Sequence, residues 1–311
     1  MRILIIGTGA LGGYFGARLL AAGRDVTFLV RPARIPQLAT SGLNLTSPHG
    51  DLHIPTPPTI TADTLASTYD LILLSCKAHD LTSSMDSFAA AVGTTTAILP
   101  LLNGMAHMDA LDARFGRQHV LGGATDISAV RDPDGLIRHL NTLDHLLFGD
   151  RDDPSGPRIT AIAAALTVPG FGASLRPVIL QDMGEKWVAI STGAGMTCLM
   201  RATIGDIVAA GAAPLVNQLM LEAASIVAST GYQPTQDFLA VTLAKFTQPG
   251  SLFTASMLRD LESGAPIEAR QIIGDLLTHG RTANLPTPLL EVVNAHLRCH
   301  EIRQQREATN P

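Results

Sequence analysis

Three glycines, Gly7, Gly9 and Gly12, stand in a Gly-x-Gly-x-x-Gly spacing between a short β-branched run at residues 2–6 and an apolar stretch at 14–22. A tight strand-to-helix turn calls for a residue without a side chain at Gly7. Close approach of a pyrophosphate calls for one at Gly9, and strand–helix contact for one at Gly12. The unpaired N–H groups at the start of the helix then face the phosphates, and the helix dipole favours their charge. The whole turn, Gly7, Thr8, Gly9, Ala10, Leu11 and Gly12, is therefore expected to bind a dinucleotide.

Residues 26–30 read as the second strand. A site selective for NAD usually ends this strand on Asp or Glu, which accepts a hydrogen bond from the ribose 2′-hydroxyl. This strand instead runs into Arg31, Pro32, Ala33 and Arg34. No carboxylate is present there, and two guanidiniums are available to clamp a 2′-phosphate. The same arginines would also serve as solvated turn charges. The expected cofactor is NADP, in its reduced form NADPH, with Arg31 among its ligands.

The elements that must hold these residues fall into two halves, and 311 residues suit two domains. Strands and helices alternate over 1–172, the mark of an α/β, Rossmann-type dinucleotide-binding domain with a doubly wound sheet. Within it a hairpin is predicted at 43–45 and 52–54, a buried strand at 71–74, a helix over 81–91 and a strand at 97–99. A β-rich stretch at 119–147 turns at 132–135, and a helix at 159–166 and a strand near Ala173 follow. Beyond residue 177 apolar periodicities near 3.6 take over, at 179–202, 213–228, 238–245, 267–282 and 289–303. The expectation for 173–311 is an all-α C-terminal domain that binds substrate, with apolar helices compatible with a homodimer.

A net charge of −5, with no basic run interleaved with aromatics, argues against a nucleic-acid partner. Cys76, Cys198 and Cys299 are far apart and form no CxxC, as reduced cytosolic thiols would. The histidines are scattered; His79, His107 and His139 are expected on loops or strand ends, and no metal site is expected. The N-terminus reads as a strand and not a signal peptide. The apolar run 187–200 is too short to span a membrane and is broken by Gly193 and Gly195. A cytoplasmic protein without membrane partners is expected.

Five separated segments resemble those of the ketopantoate reductases (2-dehydropantoate 2-reductases). They are 7–12, the run from Ser75 through Lys77 to Asp80, Leu102 with Asn103 and Gly104, the helix around Lys186, and Ser256 and Met257 followed by Glu268. The resemblance implies reduction of a 2-keto acid with NADPH on a Rossmann domain followed by a helical one. It also implies that Lys77 lies beside the cofactor ribose or the substrate. Asn103 would touch the nicotinamide ribose and orient substrate. From the residues alone, Lys77 also fits a solvated loop lysine and Asn103 a left-handed turn residue.

Reduction of a ketone makes an alkoxide, so a positioned acid must deliver a proton as hydride arrives. In the family this acid is a lysine on the first long helix of the second domain, with Trp two residues before and Asn four and eight after. Alignment on both ends of the segment puts Lys186 at that place, Gly184 at the tryptophan, and Ile190 and Ala194 at the asparagines. Alignment on Trp187 would instead put Ala189 there and remove the acid. Lys186, Ile190, Gly193 and Ala194 share one helical face. That face would accept a substrate's hydrocarbon part or a closely packed helix, and Lys186 would otherwise be a surface lysine paired with Glu185 or Asp182.

By the same resemblance Ser256 would bind the substrate carboxylate, and Glu268 would hydrogen-bond the substrate hydroxyl or hold Lys186 charged. Their structural alternatives are a helix N-cap for Ser256 and a first-turn carboxylate for Glu268. The leading expectation is conversion of 2-dehydropantoate to pantoate in pantothenate synthesis. A different keto acid or imine, admitted by Ile190 and Ala194, is a second reading, and an NADPH-binding sensor without turnover a third.

Overall fold

The β-branched run with four buried apolar side chains forms β1 (Arg2–Ile6), a strand covered on both faces. In the computed structural model, which describes residues 1–309, it is the middle strand of a five-stranded sheet. The chain continues through α1 (Ala10–Ala21), β2 (Asp25–Leu29), α2 (Ile35–Ser41), β3 (Leu43–Thr46), β4 (Leu52–Ile54) and β5 (Thr59–Ile60). Next come β6 (Leu71–Leu74), α3 (Leu81–Phe88), β7 (Ala97–Pro100) and α4 (Ala106–Phe115). The long strands β8 (Gly122–Arg131) and β9 (Ile137–Gly149), then α5 (Pro157–Leu166) and β10 (Gly172–Leu175), follow.

The first sheet has the order β5-β2-β1-β6-β7 with every pairing parallel, so Ile3 lies between Val26 and Leu71. A second sheet runs β10-β9-β3-β4, with β8 paired antiparallel to β9. Helix α1 lies close to both sheets because two of its positions carry no side chain. A Cβ at Gly16 would come 2.4 Å from the Phe28 ring, and one at Gly13 would come 2.1 Å from Ile137 Cδ1. Phe28 is fully buried there, worth roughly 1.5–3 kcal/mol of transfer free energy. His107, expected on a loop, is instead buried inside α4.

The second half is helical: α6 (Ile179–Met200), α7 (Ile204–Ala209), α8 (Ala213–Ser229), α9 (Gln236–Phe246) and α10 (Ser256–Glu262). A single π-helical turn, Arg270–Gly274, then leads into α11 (Asp275–Thr282), and α12 (Pro288–Thr309) ends the described chain. The periodicity at 267–282 predicts one plain helix; wider π winding at Arg270–Gly274 interrupts it. Among the described residues no helix is long and apolar enough to cross a membrane.

The chain divides into two units at a different place from the expected break at 172/173. One unit is Met1–Leu102 with His107–Ile179; the other takes Asn103–Ala106 and everything from Leu180. β10 straddles the 172/173 position yet stays wholly in the first unit because Gly172–Leu175 pairs with β9, Ser174 opposite Leu147. Asn103–Ala106 goes with the helices because Met105 packs against their core.

Candidate active site

In the first unit the glycine turn sits at the carboxyl ends of β1, β2 and β6, where parallel sheets collect ligands. Gly7 has φ +85°, and a Cβ added at Gly7 or Gly9 would meet nothing within 4 Å. The turn is thus an open cradle floored by backbone. Gly9 caps α1 with no side-chain hydrogen bond, which leaves the N–H groups of the first turn to a ligand's oxygens. At Gly12 the demand is different. A Cβ there would come 2.3 Å from Ser75 Oγ and 2.5 Å from the Gly7 carbonyl oxygen. These features fit a dinucleotide pyrophosphate.

Ser75, just past the end of β6, closes this floor. Its hydroxyl donates to the Ile6 carbonyl at 3.1 Å, tying the end of β6 to the entry of the turn. Its only sequence signal was a small polar residue just past a buried strand. Lys77 follows two residues on, exposed, ahead of a 3₁₀ turn at Ala78–Asp80.

The two arginines after β2 behave differently. Arg31 is exposed and pairs with Asp80 at 3.0 Å, so Asp80 brings a carboxylate to a strand end that lacks one in its own sequence. Arg34 is half-buried and donates from Nε to Thr8 Oγ1 at 3.1 Å, from Nη1 to Gln37 Oε1 and from Nη2 to the Gly135 carbonyl at 3.5 Å. Burial, and the charge of Arg131 nearby, pull its proton affinity below that of an ordinary guanidinium.

In the second unit two residues far apart in sequence meet. Asn103 Nδ2 donates to Glu268 Oε2 at 3.4 Å, and Glu268 is only 9% exposed. The geometry on each side explains the meeting. Gly104, not Asn103, takes the left-handed conformation (φ +75°), and a Cβ there would come 2.4 Å from the Gln271 carbonyl oxygen. The Asn103–Gly104 loop therefore lies against the π turn that follows Glu268.

Helix α6 anchors that same turn. Trp187 Nε1 donates to the Ile272 carbonyl at 2.9 Å, and Ser191 Oγ, one helical turn on, donates to it at 3.2 Å. A π turn withdraws carbonyls from the regular ladder, and these two side chains satisfy one of them. Trp187, whose place in the sequence marks only a register, is thus a support for the Glu268 segment.

Lys186 precedes Trp187 on α6 and is half-buried. Gly184 packs on α8, where its Cβ would come 2.8 Å from Val227 Cγ1. Lys186 is about 160° around the helix from that contact. Glu185 is engaged elsewhere, accepting from Gln181 Nε2 and from the Thr235 backbone N–H. Further along the lysine's face, Gly193 is covered by the protein itself: its Cβ would come 2.9 Å from Phe246 and 3.4 Å from Phe253. Ser256 is the exposed first residue of α10, while Ala255 is the cap residue and makes no side-chain hydrogen bond.

Residues 3–153 match the family described as ketopantoate reductase PanE/ApbA, and residues 178–301 match its C-terminal region. The uncharacterized oxidoreductase YkpB of Bacillus subtilis (strain 168) is 30% identical over 97% of this chain and 99% of its own. A crystal structure of 2-dehydropantoate 2-reductase from Geobacter metallireducens GS-15 superposes with a TM-score of 0.88 at 27% identity, covering 96% of this chain and 99% of that one. The ternary structure of D-mandelate dehydrogenase with NADH and anilino(oxo)acetate shares the fold at a TM-score of 0.87 and 19% identity, covering 98% and 99%. Matched in order by both regions of one family, the chain is an oxidoreductase belonging to the ketopantoate reductase family.

Proposed function

We propose that the protein reduces 2-dehydropantoate to pantoate with NADPH, in the cytoplasm. The observation that carries the substrate half of this reading is the Asn103–Glu268 pair, two hydrogen-bonding side chains held beside a turn that α6 itself braces. Bound NADPH would supply hydride to the keto carbon. The glycine turn offers backbone N–H groups to the pyrophosphate, and Lys77 stands at the next strand end.

Lys186 delivers the proton to the carbonyl oxygen as it gains charge. Glu268 accepts a hydrogen bond from the nascent hydroxyl or holds Lys186 charged. Asn103 donates to Glu268 and fixes its carboxylate, and Ser256 takes the substrate carboxylate at the start of α10. Arg31, released from Asp80, joins the 2′-phosphate.

The test follows NADPH absorbance with 2-dehydropantoate and a panel of other 2-keto acids. Turnover with 2-dehydropantoate supports the reading, and turnover only with another acid removes it. That second outcome has its own support: Ile190 and Ala194 stand where the family has asparagines, and Phe246 and Phe253 make the neighbouring surface apolar. No turnover with any acid, despite NADPH binding, would leave a sensor.

A further inference from the structure

The cationic surface past β2 has a member that comes from a distant segment. The turn between β8 and β9 docks on the stretch 34–37: the Gly135 carbonyl accepts from Arg34, and the Asp134 carbonyl accepts from Gln37. The turn is itself closed by the Asp132 N–H on the Leu136 carbonyl at 2.8 Å and the Gly135 N–H on the Asp132 carbonyl at 2.9 Å. Ile137, at the start of β9, is seated on Gly13 in the first turns of α1. Its partner across the ladder is Arg131. The hairpin therefore delivers an arginine to the edge of the glycine turn, beside Arg34.

The charges there are not balanced. Arg34 spends its hydrogen bonds on a hydroxyl, an amide and a backbone carbonyl. Asp132, the carboxylate next to Arg131, is paired with Arg138 at 3.0 Å. Asp80 is paired with Arg31. Arg131 is exposed and close enough for its charge to lower the proton affinity of Arg34. Two guanidiniums that repel one another gain when an anion comes between them.

We infer that Arg131 is a specificity-determining residue for the adenosine 2′-phosphate, which it and Arg34 bind together. Arg34 is the fixed member, held by Thr8, Gln37 and the hairpin; Arg131 is the exposed one that discriminates. This rests on the NADPH reading above, and Arg131 lies a hundred residues from the strand end where such ligands are usually sought.

Equilibrium binding of NADPH and of NADH to the full-length protein, read by nucleotide fluorescence, tests it. Arg131→Gln should raise the Kd for NADPH on the order of tenfold and leave that for NADH within about twofold. Arg131→Lys should recover part of the loss, and the melting temperature of both apo variants should match the parent, since Arg131 is exposed. Arg34→Ala should weaken both nucleotides, because it also releases Thr8. If Arg131→Gln leaves NADPH binding intact while Arg31→Ala abolishes the preference, the inference fails and the NADPH reading stands. Equal loss for both nucleotides in Arg131→Gln would also overturn it. A parent protein with no preference for NADPH would remove both.

Discussion

The glycine turn of the first unit and the Asn103–Glu268 pair of the second are built by opposite means. The turn works through side chains it lacks. Its glycines lie within six consecutive residues and expose backbone N–H groups, so its chemistry is local. The pair works through side chains it has, from residues 165 positions apart, and exists only because Gly104 and Trp187 bring a loop and a π turn together. Damage to the first should be steric and appear in nucleotide affinity. Damage to the second should be electrostatic and appear in turnover.

The largest effect is expected on the helical side. Lys186→Ala should lower kcat/KM on the order of 10²–10⁴-fold with NADPH affinity retained. Unchanged turnover would show that another group protonates the oxygen. Next come the two glycines in crowded places, which contrast the regions directly. Gly12→Ala must displace both Ser75 and the Gly7 carbonyl, at a cost of about 1–3 kcal/mol, and should abolish nucleotide binding. Gly104→Ala puts a side chain at φ +75° against the Gln271 carbonyl, for about 1–3 kcal/mol, yet should spare the nucleotide Kd while kcat falls. Isothermal titration and urea melts separate the two, and loss of nucleotide affinity in Gly104→Ala would collapse the distinction.

A smaller effect is expected from Trp187→Phe. It removes one donor from the Ile272 carbonyl but leaves Ser191, so the cost should be about 1 kcal/mol with a several-fold drop in kcat and little change in KM for NADPH. A variant with full kcat would mean that the π turn holds Glu268 without help. The smallest concerns acid stability of the helical unit. His300 on α12 is buried with neither ring nitrogen hydrogen-bonded, and burial, with the charges of Arg201 and Arg303, pulls its pKa below the ordinary 6.5. The folded state thus binds fewer protons than the unfolded one. Its contribution is complete above about pH 6.5 and is lost as the pH falls below that value. Urea melts at pH 7.5 and 5.5 should show a smaller loss for His300→Gln than for the parent; an equal loss would place the effect elsewhere.

Much of this arrangement was legible in the residues. The parallel sheet followed from buried runs at 2–6 and 71–74, and the hairpin at 43–45 and 52–54 pairs as its alternation predicts, Leu43 opposite Ile54. The helical second half followed from its 3.6-residue periodicity. Two features were hidden because they arise from contacts and not from local pattern. Residues 103–106 read as a loop of the sheet domain, yet their packing belongs to the helices. The π turn has the composition of an ordinary helix, and only its partners, Gln271 against Gly104 and Ile272 against Trp187, reveal it.

By itself the amino-acid order determined the glycine turn and the alternation of elements, since each depends on residues near one another or on periodicity along one segment, and it pointed to the family through short motifs in a fixed order along the chain. The tertiary structure alone decided which arginine holds Thr8, which carboxylate faces Arg31, and that Asn103 reaches Glu268. Those are side-chain pairings between residues separated by whole helices and strands, and their partners are selected by how the packed backbone brings them within hydrogen-bonding distance, which no local pattern encodes.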